Sequence, residues 1–297
     1  MSCVIGIDSG GTHIVGQAIR VDGQVIGKYD ISGTGNIVVD YDGTMRRITG
    51  LINKIDKQFS LKSCKKIVIG IAGFETSSQA EKFQQELSDQ FNVPMIFMTD
   101  VALGLWNVLA GKDGILALSG TGSVIFAKFG DSIDRVGGWG YLLGDEGSAY
   151  DITRRTLKIL AADVDKKVNS DFVSAYLHLV KKNKFRDLVS KIYSSNRKEI
   201  ASLALVTVKL ADKYPEAKEV IKQSAISLAD QTVLMLKRYP DKTLLIGESG
   251  SVLLNNNYYR KIFEDTVKSF KADAEFVTTK RNNSYGAYYY YKNKENL

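Results

Sequence analysis

Two short stretches of this 297-residue chain place small hydroxyl side chains beside bare backbone: Ser9-Gly10-Gly11-Thr12 and Ser119-Gly120-Thr121-Gly122-Ser123. Each lies between apolar runs, and a tight glycine turn in that setting presents N–H groups next to the hydroxyls. Such a concavity binds a phosphate oxygen without a lysine, and its glycines are expected at positive φ. One such turn alone reads as an ordinary hairpin; two could hold both ends of a polyphosphate. Asp8 favours the phosphate reading, because a carboxylate ending a buried strand is costly unless it meets a cation or hydrogen-bond donors. No GxxxxGK[ST] stretch occurs, and the glycines do not follow the GxGxxG strand-to-helix layout, which excludes a P-loop and a dinucleotide fold. His13 and His178, and Cys3 and Cys64, are the only residues of their types and are widely separated. Catalysis must therefore rest on carboxylates, hydroxyls and backbone, with the cysteines as buried thiols.

The elements that must position these residues follow from the apolar pattern. Residues 4–8, 14–20 and 25–31 read as three strands of a meander. A helix is expected over 41–59, a strand over 67–71, a helix over 77–91, a strand over 95–98 and a helix over 101–109. After a turn at 111–114, residues 115–126 align without a gap on 5–16, each an apolar strand, a Ser-Gly turn and a second apolar strand. The same unit opening both halves predicts two similar α/β domains facing each other, with the boundary at 111–114. Residues 148–238 read as almost continuously helical, 244–246 and 275–277 as strands, and 284–291 as a final helix.

The composition suits a soluble two-domain chain, with 44% hydrophobic and 25% charged residues. No apolar run nears the roughly 20 residues of a membrane span, and the amino terminus opens into a strand, so a cytoplasmic protein without a membrane partner is expected. The net charge of +7 is spread along the chain. Its densest cluster, Lys181-Lys182-Asn183-Lys184, reads as a solvated helix end, so no nucleic-acid partner is expected.

In order, the 5–12 motif, Thr99-Asp100, the 118–123 motif and Gly137-Gly138-Trp139-Gly140-Tyr141-Leu142-Leu143-Gly144-Asp145-Glu146-Gly147-Ser148 resemble one branch of the sugar kinase, Hsp70 and actin superfamily. This is the N-acetylglucosamine kinase branch, within the BadF/BadG/BcrA/BcrD ATPase family. The resemblance implies an α/β fold of two ribonuclease H-like (actin-like ATPase) domains, each a mixed five-stranded sheet with helices, around an interdomain cleft. The first domain, 1–112 plus 284–297, would handle sugar and phosphate. The second, 113–283, would bind the nucleotide and carry a helical insertion. The run Tyr288-Tyr289-Tyr290-Tyr291 would pack back on the first domain with two rings in solvent.

By the same resemblance, the activity is transfer of the ATP γ-phosphate to the primary (6-) hydroxyl of N-acetylglucosamine, with glucosamine, N-acetylmannosamine and N-acetylmuramate as alternative acceptors. Asp100, which by itself reads equally as a helix N-cap, becomes the general base. Ser9, Gly10, Gly11, Thr12, Gly120, Thr121, Gly122 and Ser123 would hold the ATP phosphates, and Gly247, Gly250 and Ser251 the adenosine. Asn36, Gly138, Trp139 and Asp145 would join Asp100 around the sugar, with Trp139 either a pyranose platform or core packing and Asp145 either a sugar contact, a cap or an inter-turn anchor. Asp8 would hold Mg2+ through water, alone, because Leu118 stands where many relatives outside this branch carry an acid. Glu146 reads as structural. The partner is a small-molecule sugar, with a homodimer as the assembly common in such families. A dehydratase-activator ATPase is disfavoured because neither cysteine suits an iron–sulfur cluster. A non-catalytic sugar-sensing regulator is disfavoured because no helix-turn-helix precedes the first strand.

Overall fold

The computed structural model describes residues 2–130, 132–167, 170–240 and 245–295. The first sheet is built from β1 (Cys3–Ser9), β2 (His13–Arg20), β3 (Val25–Ser32), β4 (Cys64–Ile71) and β5 (Met95–Thr99). Between and after these strands come α1 (Tyr41–Phe59), α2 (Ala80–Ser88) and α3 (Asp100–Val108). The second sheet contains β6 (Gly114–Ser119), β7 (Ser123–Phe129), β8 (Ser132–Gly137), β9 (Leu245–Ser249) and β10 (Glu275–Val277). Six helices lie between β8 and β9: α4 (Ala149–Asp165), α5 (Asp171–Leu179), α6 (Phe185–Ser194), α7 (Arg197–Ser202), α8 (Ala204–Leu210) and α9 (Pro215–Arg238). The helices α10 (Ser251–Asn255), α11 (Asn257–Phe270) and α12 (Gly286–Glu295) complete the chain. Leu244, expected to open the strand that is β9, lies outside the described residues.

Both sheets have the same topology, with orders β3-β2-β1-β4-β5 and β8-β7-β6-β9-β10. In each, the first hairpin is antiparallel and the two later strands run parallel to its first strand. The repeat is therefore real, but its gapless alignment slips by one residue. Ser9 pairs with Ile14, whereas Ser119 pairs with Ser123. The first turn closes through Gly10 N–H to His13 O at 3.0 Å and the second through Gly120 N–H to Gly122 O at 2.9 Å. The second turn is one residue shorter, so Gly122 takes the place of His13.

Chain-contact clustering gives two compact units, Met1–Lys112 with Thr278–Leu297, and Asp113–Val277. Residues 278–283, expected in the second domain, thus belong to the first unit. Helix α1 shows how sequence builds its core: Ile48, Leu51, Ile52 and Ile55 recur at helical spacing and are fully buried, while Asp40 caps the start by accepting from Gly43 N–H at 2.9 Å. Burying each such side chain stabilises the fold by about 1.5–3 kcal/mol. The second unit has its own core around Ile115, Ile125, Leu228 and Phe263, and the helical insertion adds a separate cluster around Leu160, Tyr176 and Leu188.

Three sequence expectations need correction. Helix 77–91 is shorter, Ala80–Ser88, and strand 67–71 begins earlier, at Cys64, where Lys65 and Lys66 mask the strand pattern. The tyrosine run has no solvated rings. Tyr288 is buried, and Tyr289, Tyr290 and Tyr291 are half-buried, because α12 packs rings on two sides, against Tyr285 and Ile19 and against Val4, Val68 and Leu103.

Candidate active site

In the first unit, β1, β4 and β5 run parallel, so their C-terminal ends form one edge of the sheet. Asp8 ends β1 opposite Gly70, and Gly70 in turn lies opposite Met98, two residues before Asp100. A Cβ on Gly70 would lie 3.0 Å from the Asp100 Cα and 2.7 Å from the Leu103 Cβ, so the absence of a side chain there lets β4 and the start of α3 approach. The two carboxylates feel each other across this edge. Burial, reinforced by the Asp100 charge, pushes Asp8 up to about 7, and burial raises Asp100 as well, against the lowering effect of the Val101 and Asp100 backbone N–H groups. Asp8 accepts no side-chain hydrogen bond among the described residues.

Asp100 is not the cap of α3. Thr99 is, its hydroxyl accepting from Ala102 N–H at 3.1 Å, while Asp100 stands at the first helical position and accepts from Val101 N–H at 3.0 Å. The orphan donors of the first turn are thus partly satisfied by the neighbour, and beyond the Val101 and Asp100 N–H groups the Asp100 carboxylate keeps free acceptor capacity.

The 33–36 loop is zipped onto the first glycine turn. Gly33 N–H donates to Thr12 O at 3.0 Å, Gly35 N–H to Gly10 O at 2.7 Å, and the Ser9 hydroxyl to Gly35 O at 2.9 Å. Asn36 forms a parallel bridge with Ala72, whose N–H donates to Ser9 O at 2.8 Å. Its Oδ1 accepts from Val38 N–H at 2.8 Å, which fixes the side chain and leaves its NH2 as the unpaired end. The first unit therefore gathers Asp8, the 9–12 turn, Asn36 and Asp100 at one sheet edge. Ser9 is corrected from the expected phosphate set: it is fully buried and its hydroxyl is committed to Gly35. The glycines of both turns are corrected too. Gly10, Gly11, Gly120 and Gly122 are absent from the positive-φ positions. The space over Gly11 is open: a Cβ there would meet nothing within 4 Å.

In the second unit, the 120–123 turn is held against the start of α4. Ala149 N–H donates to Gly120 O at 2.9 Å, the Ser119 hydroxyl to Gly147 O at 2.7 Å, and the Ser123 hydroxyl to Glu146 O at 2.7 Å. Ser123 thus offers no free hydroxyl, whereas Thr121 is exposed. Beside Thr121 opens a cavity of about 350 Å³, lined by Ala149, Ile152, Lys198, Ala201, Leu205, Ser251, Val252 and Asn255. An apolar body with a few polar groups at its rim suits a flat heteroaromatic base. Gly250, at φ 92°, backs onto Ser119, where a Cβ would lie 2.2 Å from the Ser119 carbonyl oxygen, and it starts α10 at Ser251. Gly247 is corrected: it lies inside β9, paired with Leu116 and Val277, away from that turn. The adjacent Glu248 is buried with its carboxylate 2.5 Å from Arg260 Nη2, and burial pushes it up to about 7 against the lowering effect of that guanidinium.

The chain matches the BadF/BadG/BcrA/BcrD ATPase family over residues 5–287. It belongs to that family. Among its relatives is an N-acetylmuramic acid/N-acetylglucosamine kinase of Clostridium acetobutylicum, 28% identical with 97% of each chain covered. An N-acetyl-D-glucosamine kinase of Dictyostelium discoideum is 23% identical with 95% of each covered. A solved structure from Porphyromonas gingivalis, described as a candidate N-acetylglucosamine kinase, superposes with a TM-score of 0.73 at 19% identity, covering 99% of this chain and 100% of that one. That likeness shows the shared two-sheet, actin-like ATPase fold.

Within this ATPase-family fold, the settings of two residues narrow the readings that the sequence left open. Trp139 is 67% exposed, with the Arg135 guanidinium 4.4 Å from its ring centre, so it is not core packing. Asp145 is 3% exposed, at φ 64°, and its carboxylate lies 2.6 Å from Arg197 Nη2 while also accepting from Ser123 N–H at 3.4 Å. It is not a helix cap, a role Ser148 fills; bonded to Ser123 N–H and to Arg197, it ties its own turn to the 120–123 turn, the inter-turn anchor among its sequence readings. Gly138, at φ 70°, backs onto Val124. Sequence reasoning missed Arg197 and Lys198, because the helical insertion that carries them has no glycine turn or motif.

Proposed function

We propose that this chain is an ATP-dependent amino-sugar kinase that phosphorylates the primary hydroxyl of N-acetylglucosamine or N-acetylmuramic acid. The observation that carries the reading is Asp100: a raised, half-buried carboxylate released from capping by Thr99 and held on the same edge as Asp8, Asn36 and an open glycine turn. The names of the full-length relatives supply the substrate class. In this reading, the first unit handles the sugar and the second the nucleotide. Asn36 directs its amide NH2 to a sugar hydroxyl, and Asp100 accepts the proton of the attacking hydroxyl, a role worth roughly 10²- to 10⁴-fold in rate. The Thr121 hydroxyl and the Thr121 and Gly122 amides face the phosphate tail, with the base in the cavity beside Ser251.

The donor set fits a hard cation: Asp8 is an unpaired carboxylate whose raised affinity for a proton marks an unmet demand for positive charge. Asp8 would hold Mg2+, whose chemistry when bound is to neutralise phosphate charge. The chain's own residues orient the two reactants and take the proton.

The test is ADP release with ATP, magnesium and a panel of amino sugars, followed by Asp100→Asn. Turnover should fall by about 10²-fold or more while sugar affinity stays within a few-fold. Near-normal turnover in that variant would overturn the assignment of the base.

A further inference from the structure

Arg197 opens α7 and lies directly on the second glycine turn. A Cβ on Gly122 would be 2.1 Å from Arg197 Nη2, so the guanidinium lies directly over the bare backbone of this glycine. The partner of that guanidinium, Asp145, is a buried acid in a left-handed backbone conformation that non-glycine residues adopt only at a cost. Burial is unequal: the Asp145 side chain is 3% exposed and the Arg197 side chain 40%. One edge of the arginine therefore faces solvent beside the turn, while its buried Nε has no hydrogen-bond partner among the described residues. A purely structural ion pair would use that donor, because a buried unsatisfied N–H costs about 1–3 kcal/mol. The Tyr141 ring lies 5.7 Å from the guanidinium and flanks it on one side. The start of α7 is fixed by a reciprocal capping box between Asn196 and Glu199, and the next residue, Lys198, lines the base cavity.

We propose that Arg197 is a nucleotide-phosphate contact, parked on Asp145 in the empty protein and shared with, or handed over to, the terminal phosphates when they enter the 120–123 turn. The turn itself carries no cationic side chain. A planar guanidinium seated on it supplies charge-assisted donors to phosphate oxygens, and Asp145 sets how tightly the donors are held back. The inference rests on reading 120–123 as the phosphate turn.

Equilibrium binding of adenosine, ADP and ATP with magnesium, without sugar, tests it on the intact chain. Arg197→Gln should weaken ADP and ATP about 10- to 100-fold and leave adenosine within about 2-fold, with Arg197→Lys intermediate. Asp145→Asn should do the opposite and tighten ADP, because it removes the competing acid. Retained adenosine binding reports that each variant is folded. If Arg197→Gln instead disrupts the fold, the sign of the Asp145→Asn shift decides. Equal losses for adenosine and ADP, or weaker ADP binding in Asp145→Asn, would reduce the pair to a strut and overturn the proposal. A chain that shows these shifts yet phosphorylates no sugar would overturn the proposed function and leave this contact standing.

Discussion

Asp8 is the residue at which cost and use are most clearly linked. Its carboxyl is raised by burial and by Asp100 from 3.8 to about 7, so between those values the folded chain holds the proton more tightly than the unfolded chain. Stability therefore falls as pH rises through that window. Asp8→Asn carries no such charge, so it should be more stable than the natural protein above pH 7, by on the order of 4 kcal/mol, with the difference gone near pH 4. Thermal melts of both proteins across this range check it; a constant difference at every pH would show that the burial cost is not electrostatic. Asp100 is raised in the same direction, so the acid limb of kcat/KM should lie above the ordinary carboxylate range, with activity falling as pH drops. At this scale the sequence showed which residue types meet at the turns but not which hydroxyls turn inward. Ser9 and Thr12 sit in one motif, yet only Ser9 is buried against Gly35. Arg197 reaches Asp145 across a sequence separation of 52, and no local pattern reports such a pairing.

At the scale of elements, α3 depends on a division of labour between neighbours. Thr99 and Asp100 are both good N-caps, so sequence alone could not choose between them; the extended backbone of Thr99, at φ −70° and ψ 152°, makes it the cap. Thr99→Ala should cost about 1 kcal/mol of stability. Its larger effect should be on turnover, because the Asp100 carboxylate becomes the nearest acceptor for the uncapped N–H groups and is drawn away from substrate. Thr99→Ser, which keeps the hydroxyl, should restore both. Comparing kcat with the melting temperature in the two variants separates the roles; parallel losses would mean that Thr99 only stabilises the helix. The elements themselves were legible where the pattern was strongly periodic, as in α1, or repeated, as in the two opening hairpins. They were not legible where polar residues occupy an edge. Strand β8, with residues Ser132, Asp134 and Arg135, was not singled out, and the one-residue slip between the hairpins is invisible because glycine turns tolerate either length.

For the whole chain, the notable contrast is between a continuous unit and a divided one. The second unit runs from Asp113 to Val277, and among the described residues its core cluster draws on none outside that stretch. The first unit needs the far end of the chain. Ala287 completes a cluster with Val4, Val68 and Leu103, the Ser284 hydroxyl donates to Gln17 Oε1 at 2.9 Å, and the Tyr285 hydroxyl donates to Gly23 O at 2.8 Å. Removing 278–297 would uncover that apolar surface and leave the buried Gln17 amide without its donor, a loss of several kcal/mol against a typical total of about 5–15. The fragment 113–277 should therefore fold alone, melt cooperatively and bind ADP within about 10-fold of the intact chain, since the 120–123 turn, Arg197 and the cavity beside Ser251, the proposed nucleotide site, all lie within it. The complementary truncation 1–277 should keep ADP binding but lose Asp100-dependent turnover, because the unit that orders Asp8, Asn36 and Asp100 is no longer complete. Calorimetry and ADP titration of the two pieces distinguish the cases. A fragment 113–277 without a cooperative transition, or a 1–277 chain with full turnover, would show that the division of labour drawn here is wrong.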